Sequence, residues 1–169
     1  MRMDQFTVKA QEGLGSAQTL AEKSDHPEVT PEHLLRALLD QEGGVVPAAL
    51  GKLGVSTSTL GAEVDRALGA LSRTQGAATH ISPGLDAVAK SGLREAEALK
   101  DQYVSTEHLL LALLETKAPA AEILKRNGVV RDGVLKVLRE IRGSQRVDDP
   151  NAESRYQALE RYGRDLTDL

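Results

Sequence analysis

The sequence predicts an all-α fold of two tandem four-helix repeats, and three observations lead there. Apolar residues make up 40% of the 169-residue chain but aromatics only 2%, with no Trp. The core must therefore be built from Leu, Ala, Val and Ile. Leu and Ala are strong helix formers, and β-branched residues nowhere gather into a long run. Finally, one unit is written twice: Val29-Thr30-Pro31-Glu32-His33-Leu34-Leu35-Arg36-Ala37-Leu38-Leu39 recurs as Val104-Ser105-Thr106-Glu107-His108-Leu109-Leu110-Leu111-Ala112-Leu113-Leu114.

In the first helix of each copy, Phe6, Ala10, Leu14, Ala17 and Leu20 have the spacing of Leu85, Ala89, Leu93, Ala96 and Leu99. Steps of three and four place each set on one helical stripe. In this alignment the first copy carries a few extra residues around Lys23 to His26. Gly13, Gly15 and Gly92 fall inside these helices, where each costs about 0.5–1 kcal/mol relative to Ala, and close helix approach is the expected reason. Gly13-Leu14-Gly15 is no dinucleotide fingerprint, because no strand precedes it.

The second helices open on Thr30 and Ser105, hydroxyls suited to the free N–H groups of a first turn. Pro31 then sits where a missing N–H costs nothing, and Glu32 and Glu107 lie where the helix dipole favours negative charge. Short third helices, Pro47–Lys52 and Pro119–Arg126, each lead to a glycine suited to a left-handed stop. The fourth helices run roughly Ser56–Leu71 and Asp132–Ile141. A four-helix unit this small cannot bury its apolar stripes alone. Repeat one (1–74) and repeat two (80–142), connected through Gln75–Thr79, are expected to share one core about a pseudo-two-fold axis.

Residues 143–151 are polar, carry Gly143 and Pro150, and read as a flexible linker. Residues 152–169 resume a helical pattern with Tyr156, Leu159, Tyr162 and Leu166, and no partner for them is evident in the chain.

The net charge of −4 and pI near 5.6 disfavour nucleic acid and anionic lipid. With no cysteine there is no disulfide framework and no thiolate site. No apolar stretch approaches a membrane span, and Met1 to Phe6 has no apolar signal region and reads as a native start, so a cytoplasmic protein is expected. Gly51-Lys52 is followed by Leu53 and lacks the upstream glycine of a phosphate-binding loop. Glu-His neighbours point about 100° apart on a helix and chelate a metal poorly. Symmetric duplication of Glu32 and Glu107 argues against acid/base catalysis, which needs two unlike environments. No catalytic residue, metal or cofactor is expected, and His33 and His108 read as helix-start residues against the core.

Three stretches carry a resemblance to the double-repeat N-terminal domain of the Clp ATPases, in its ClpB disaggregase form. They are the start Arg2-x-Asp4-x-x-Thr7-x-Lys9-x-x-Glu12, the paired Glu-His-Leu-Leu helices, and Ala158-Leu159-Glu160-Arg161-Tyr162-Gly163-Arg164-Asp165-Leu166-Thr167. The last is similar to the connector that leads into a first ATPase domain. The resemblance implies a parent homohexamer, working with an Hsp70-type co-chaperone system, that threads aggregated polypeptide through a central pore. For this chain, expected to be monomeric by itself, it implies weak binding of unfolded or aggregated polypeptide in an apolar groove. Carried over, the substrate positions are Thr7, Asp101 and Glu107, with Tyr103 and Val104 between and Leu93 and Leu111 alongside. Protease-linked relatives imply the alternative, in which Glu32 and Glu107 dock adaptors or receive a phosphoarginine guanidinium.

Overall fold

Capping decides where the helices start. In the computed structural model, which describes residues 2–76 and 78–156, Thr7 accepts a bond from the Ala10 N–H to open α1 (Val8–Lys23). Ser82 does the same for α5 (Pro83–Ala98) through the Leu85 N–H. Thr30 and Ser105 open α2 (Pro31–Leu39) and α6 (Thr106–Glu115) with capping boxes in which a histidine, His33 or His108, replaces the usual Glu or Gln. The third helices, α3 (Val45–Lys52) and α7 (Pro119–Arg126), run on to left-handed glycines Gly54 and Gly128. The fourth helices are α4 (Thr57–Gly69) and α8 (Arg131–Arg142).

The repeats align in one register throughout their first halves, which corrects the sequence alignment. Helices α1 and α5 have equal length, 16 residues each. Both are followed by a non-glycine residue with positive φ, Asp25 (57°) and Lys100 (61°). Thr7 therefore matches Ser82, Phe6 matches Ile81, and the first copy carries no extra residues before His26. The sequence pairing had slipped by one helical turn, a shift that leaves every residue on its own stripe and that periodicity does not detect.

The two copies are interlocked at their helix starts. Strands β1 (Glu28–Val29) and β2 (His80–Ile81) pair in parallel, Val29 against Ile81. In the matching place Phe6 bridges Val104, also in parallel. The lead-in to each copy's first helix is thus bonded to the lead-in to the other's second helix. Helix α3 packs on α8 and α4 on α7, so the later helices also cross between copies. A continuous apolar core results, running from Phe6 through Leu34, Leu60 and Leu109 to Ile141.

Two of the three helix glycines sit at close approaches. A Cβ on Gly13 would lie 3.0 Å from Leu38, and one on Gly92 would lie 3.1 Å from Val104. Gly15 is exposed with nothing within 4 Å, so close packing does not explain it.

Candidate functional site

The turn after α5 builds the most polar interior of the molecule. Positive φ at Lys100 lets the Asp101 N–H donate to the Ala96 carbonyl (2.8 Å), which turns the Asp101 carboxylate inward. There Oδ2 meets His108 Nε2 at 2.7 Å, while Oδ1 accepts from Arg142 (2.6 Å) and from the Val147 N–H (3.0 Å). His108 Nδ1 accepts from the Ser105 N–H (2.8 Å), so Nε2 carries the proton and donates to Asp101. Burial pushes the Asp101 carboxyl up, but the bonds from His108, Arg142 and Val147 outweigh it and hold the group at about 2. Burial likewise opposes the charge on Arg142, yet the Asp101 bond and the Glu107 charge raise it above its ordinary value.

The matching pocket of the first repeat is uncharged. His26 takes the place of Asp101, and its Nδ1 lies 2.8 Å from His33 Nε2. Burial, with His26 adding to it, lowers His33 to about 4, so the pair is neutral at pH 7. The two copies share a backbone and differ in charge.

Four of the residues implied by the resemblance converge around the start of α6. Thr7 is buried at the α1 cap, and its N–H donates to the Val104 carbonyl (2.9 Å). Val104, Asp101 and Glu107 are buried too, and Arg142 lies against both carboxylates. Both Glu107 oxygens lack a hydrogen-bond partner among the described residues; Arg142 Nε stands 3.6 Å away. Tyr103 and Leu93 are partly exposed and pack on the core. Leu111 is wholly buried, so a polar residue there would test the fold and not a surface. Glu32 stands apart from this group: its carboxylate accepts the Ala120 N–H (3.1 Å) and serves as the cap that α7 otherwise lacks. Burial raises the Glu32 carboxyl, and that bond only partly offsets the effect.

Residues beyond Arg142, read from the sequence as a linker and an unpartnered helix, return across this site. Gln102 donates to the Val147 carbonyl (2.8 Å) and Val8 to the Pro150 carbonyl (2.9 Å). The Thr106 N–H, free at the start of α6, donates to Glu153 (3.0 Å). Val147, Ala152 and Tyr156 are fully buried, with the Arg142 guanidinium 5.7 Å from the Tyr156 ring centre. Burial, then the Glu107 charge, raises the Glu153 carboxyl. Residues 152–156 do have a partner in the chain, contrary to the expectation for 152 onward. The one sequence signal was an apolar Ala152–Tyr156 pair, one turn apart in polar surroundings. The connector motif from Ala158 to Thr167 lies outside the described residues.

Among the described residues, no group of three or more His, Asp or Glu side chains could hold a metal ion. Around the start of α6, side chains and N–H groups bond the main chain of Val147 and Pro150 on a double-repeat scaffold. Residues 5–127 match the family model of the Clp repeat (R) N-terminal domain. The chain belongs to that family. It is 40% identical to the chaperone protein ClpB of Rhodopirellula baltica over 169 residues, covering 99% of this chain and 19% of that protein. Identity to ClpB of Nitratidesulfovibrio vulgaris is 38% over 175 residues, again 99% of this chain and 20% of the relative. The chain thus spans about a fifth of the length of the curated relatives it matches, and its family match is to the Clp N-terminal domain. The crystal structure of the Hsp104 N-terminal domain from Candida albicans superposes with a TM-score of 0.77 at 25% identity, covering 88% of this chain and 98% of that one. The N-terminal domain of an Escherichia coli ClpV1 ATPase shares the fold (TM-score 0.72, 21% identity, 85% and 89% covered). Among the described residues, no helix is long and apolar enough to cross a membrane.

Proposed function

We propose that this Clp N-terminal domain binds unfolded or aggregated polypeptide, weakly and without a fixed sequence, and hands it to the ATPase ring of a ClpB-type disaggregase. The observation that carries this reading is the chemistry at the start of α6. The Val8 and Gln102 N–H groups and the Asp101 carboxylate bond main-chain groups of Val147 and Pro150, and the Thr106 N–H bonds the Glu153 side chain, beside the partly exposed Tyr103. Such groups engage the main chain, which every unfolded polypeptide offers, and apolar neighbours add affinity without demanding a sequence. Tyr103 and Leu93 touch the ligand directly; Thr7, Val104, Glu107 and Leu111 shape the floor beneath.

Weak binding suits the parent assembly. Six copies on a hexamer raise effective concentration, so each can release its cargo. An Hsp70-type partner system, a cytoplasmic setting and a monomeric isolated domain complete the proposal. Its boundaries are the double repeat over 1–142, the connecting segment 143–151 and the beginning of a connector over 152–169. The adaptor or phosphoarginine reading fits less well. Glu32 is already committed to the α7 cap, and Glu107 lies buried beside Arg142, a cation that an incoming guanidinium would have to displace.

Titrating the isotope-labelled chain with a permanently unfolded protein is expected to shift the amide signals of Thr7, Leu93 and Asp101 to Glu107. Tyr103→Ala is expected to weaken that binding several-fold at an unchanged melting temperature. Equal affinity in a stable variant removes Tyr103 from the site. Shifts at Glu32 and Glu107 that appear only with free phosphoarginine would favour the reader.

A further inference from the structure

We propose that residues 147–156 are a resident ligand of the polypeptide site, seated as an incoming chain would be, so that substrate binds by displacing them. This rests on the polypeptide-binding reading above and adds to it what the site recognises and what it must first release. The seat is built. The strap offers main-chain groups at two points: Val147, which donates to Asp101 (3.0 Å) and accepts from Gln102 (2.8 Å), and Pro150, which accepts from Val8 (2.9 Å). Between and after them the side chains alternate in role: Val147 and Ala152 are buried, Glu153 caps α6, and Tyr156 is wholly enclosed beside Arg142.

The seat is also imperfectly filled. Among the described residues, both oxygens of Glu107 and the Tyr156 hydroxyl are buried without a hydrogen-bond partner. Buried polar groups left unpaired cost stability, and two buried carboxylates, Glu107 and Glu153, raise that cost by repelling each other. A segment held by main-chain bonds yet mismatched in its polar contacts is one that a competitor can replace. The strap's own pattern describes that competitor. It has a small branched apolar residue with its N–H and carbonyl free, then a turn into a short helix that brings a polar or acidic side chain, about six positions on, to the Thr106 N–H and a large apolar or aromatic residue to the Tyr156 position. A neutral polar side chain in place of Glu153 removes the repulsion and is preferred. The loop Gly143–Arg146 is largely exposed and serves as the hinge.

The test uses the whole chain and a reduced, carboxymethylated protein as a permanently unfolded probe. Val147→Gly combined with Tyr156→Ala loosens the strap and is expected to bind the probe ~10-fold or more tightly than the parent, because occupancy of the competent state sets apparent affinity. Tyr156 belongs to the core, so a second arm avoids any folding defect. A protease site inserted between Gly143 and Gln145 is cut after folding, and the probe is then expected to expel the fragment that begins at the cut. A synthetic peptide of residues 145–156 should compete with the probe on the loosened chain. If the probe binds parent and loosened chains equally, and joins the cut chain while the fragment stays bound, the strap is no ligand of this site and the proposal falls, with polypeptide binding intact. Failure of the probe to bind parent, loosened or cut chain overturns polypeptide binding itself, and this proposal with it.

Discussion

His33 and Asp101 titrate in different windows although they lie in related pockets, because burial is answered differently around each. Asp101 gains the Arg142 guanidinium, a bond donated by His108 and a backbone N–H; His33 gains only neutral partners, the His26 imidazole and the Thr30 cap. For His33, lowered from 6.5 to about 4, the unfolded chain takes up a proton that the folded chain refuses. Its contribution to stability is whole above pH 6.5 and is lost as pH falls towards 4, on the order of 3 kcal/mol in all. Asp101, lowered from 3.8 to about 2, loses its share only below that, as pH falls from 3.8 towards 2. Glu32 and Glu153 are raised and act in the opposite sense, so the measurement must be a difference. Urea unfolding of the parent and of His33→Gln is expected to show a stability gap that narrows as pH drops from 7 to 4. A constant gap would mean that His33 titrates as it does in water.

At the scale of elements, the two strand bridges are equivalent in backbone and unequal in burial. Phe6 is 1% exposed, whereas its counterpart Ile81 is 47% exposed. Phe6→Ala is therefore expected to cost about 3–5 kcal/mol and Ile81→Ala under about 1 kcal/mol, read as shifts in the urea midpoint. Comparable losses would show that both bridges carry the same packing load. Helix number and order, and the caps at Thr30 and Ser105, were legible in the sequence, because caps and stripes are local signals, whereas the caps at Thr7 and Ser82 were hidden by the slipped register. The register of the first helices was not, since a slip of one turn preserves the stripe. Nor was the return of Val147 to Tyr156 legible: Gly143, Pro150 and the charges around them do face solvent, and the few apolar residues that anchor the segment are too sparse to set a period. Of the site, the convergence of Thr7, Asp101, Val104 and Glu107 was anticipated only through resemblance. Arg142 and Glu153 were missed because single charges carry no sign that they will be buried.

The whole molecule has one core and crossed seams, so neither repeat has a boundary at which to unfold alone. All three tyrosines, at 103, 156 and 162, lie in the second repeat or beyond, whereas helical circular dichroism reports both copies. The two signals are expected to change together in urea, in a single transition. Tyrosine fluorescence changing first would separate the repeats energetically. The crossed seams also bear on ancestry. Within one copy the two half-bridges sit at opposite ends of a 16-residue helix, roughly 24 Å apart, and cannot reach each other. A single-copy progenitor could close them only on a second molecule, as a symmetric dimer. Two such copies joined end to end make that dimer permanent and release each half from self-complementarity. Positions such as His26 and Asp101, or Glu28 and Tyr103, are then free to differ, and a surface that would serve two identical sides can become one site.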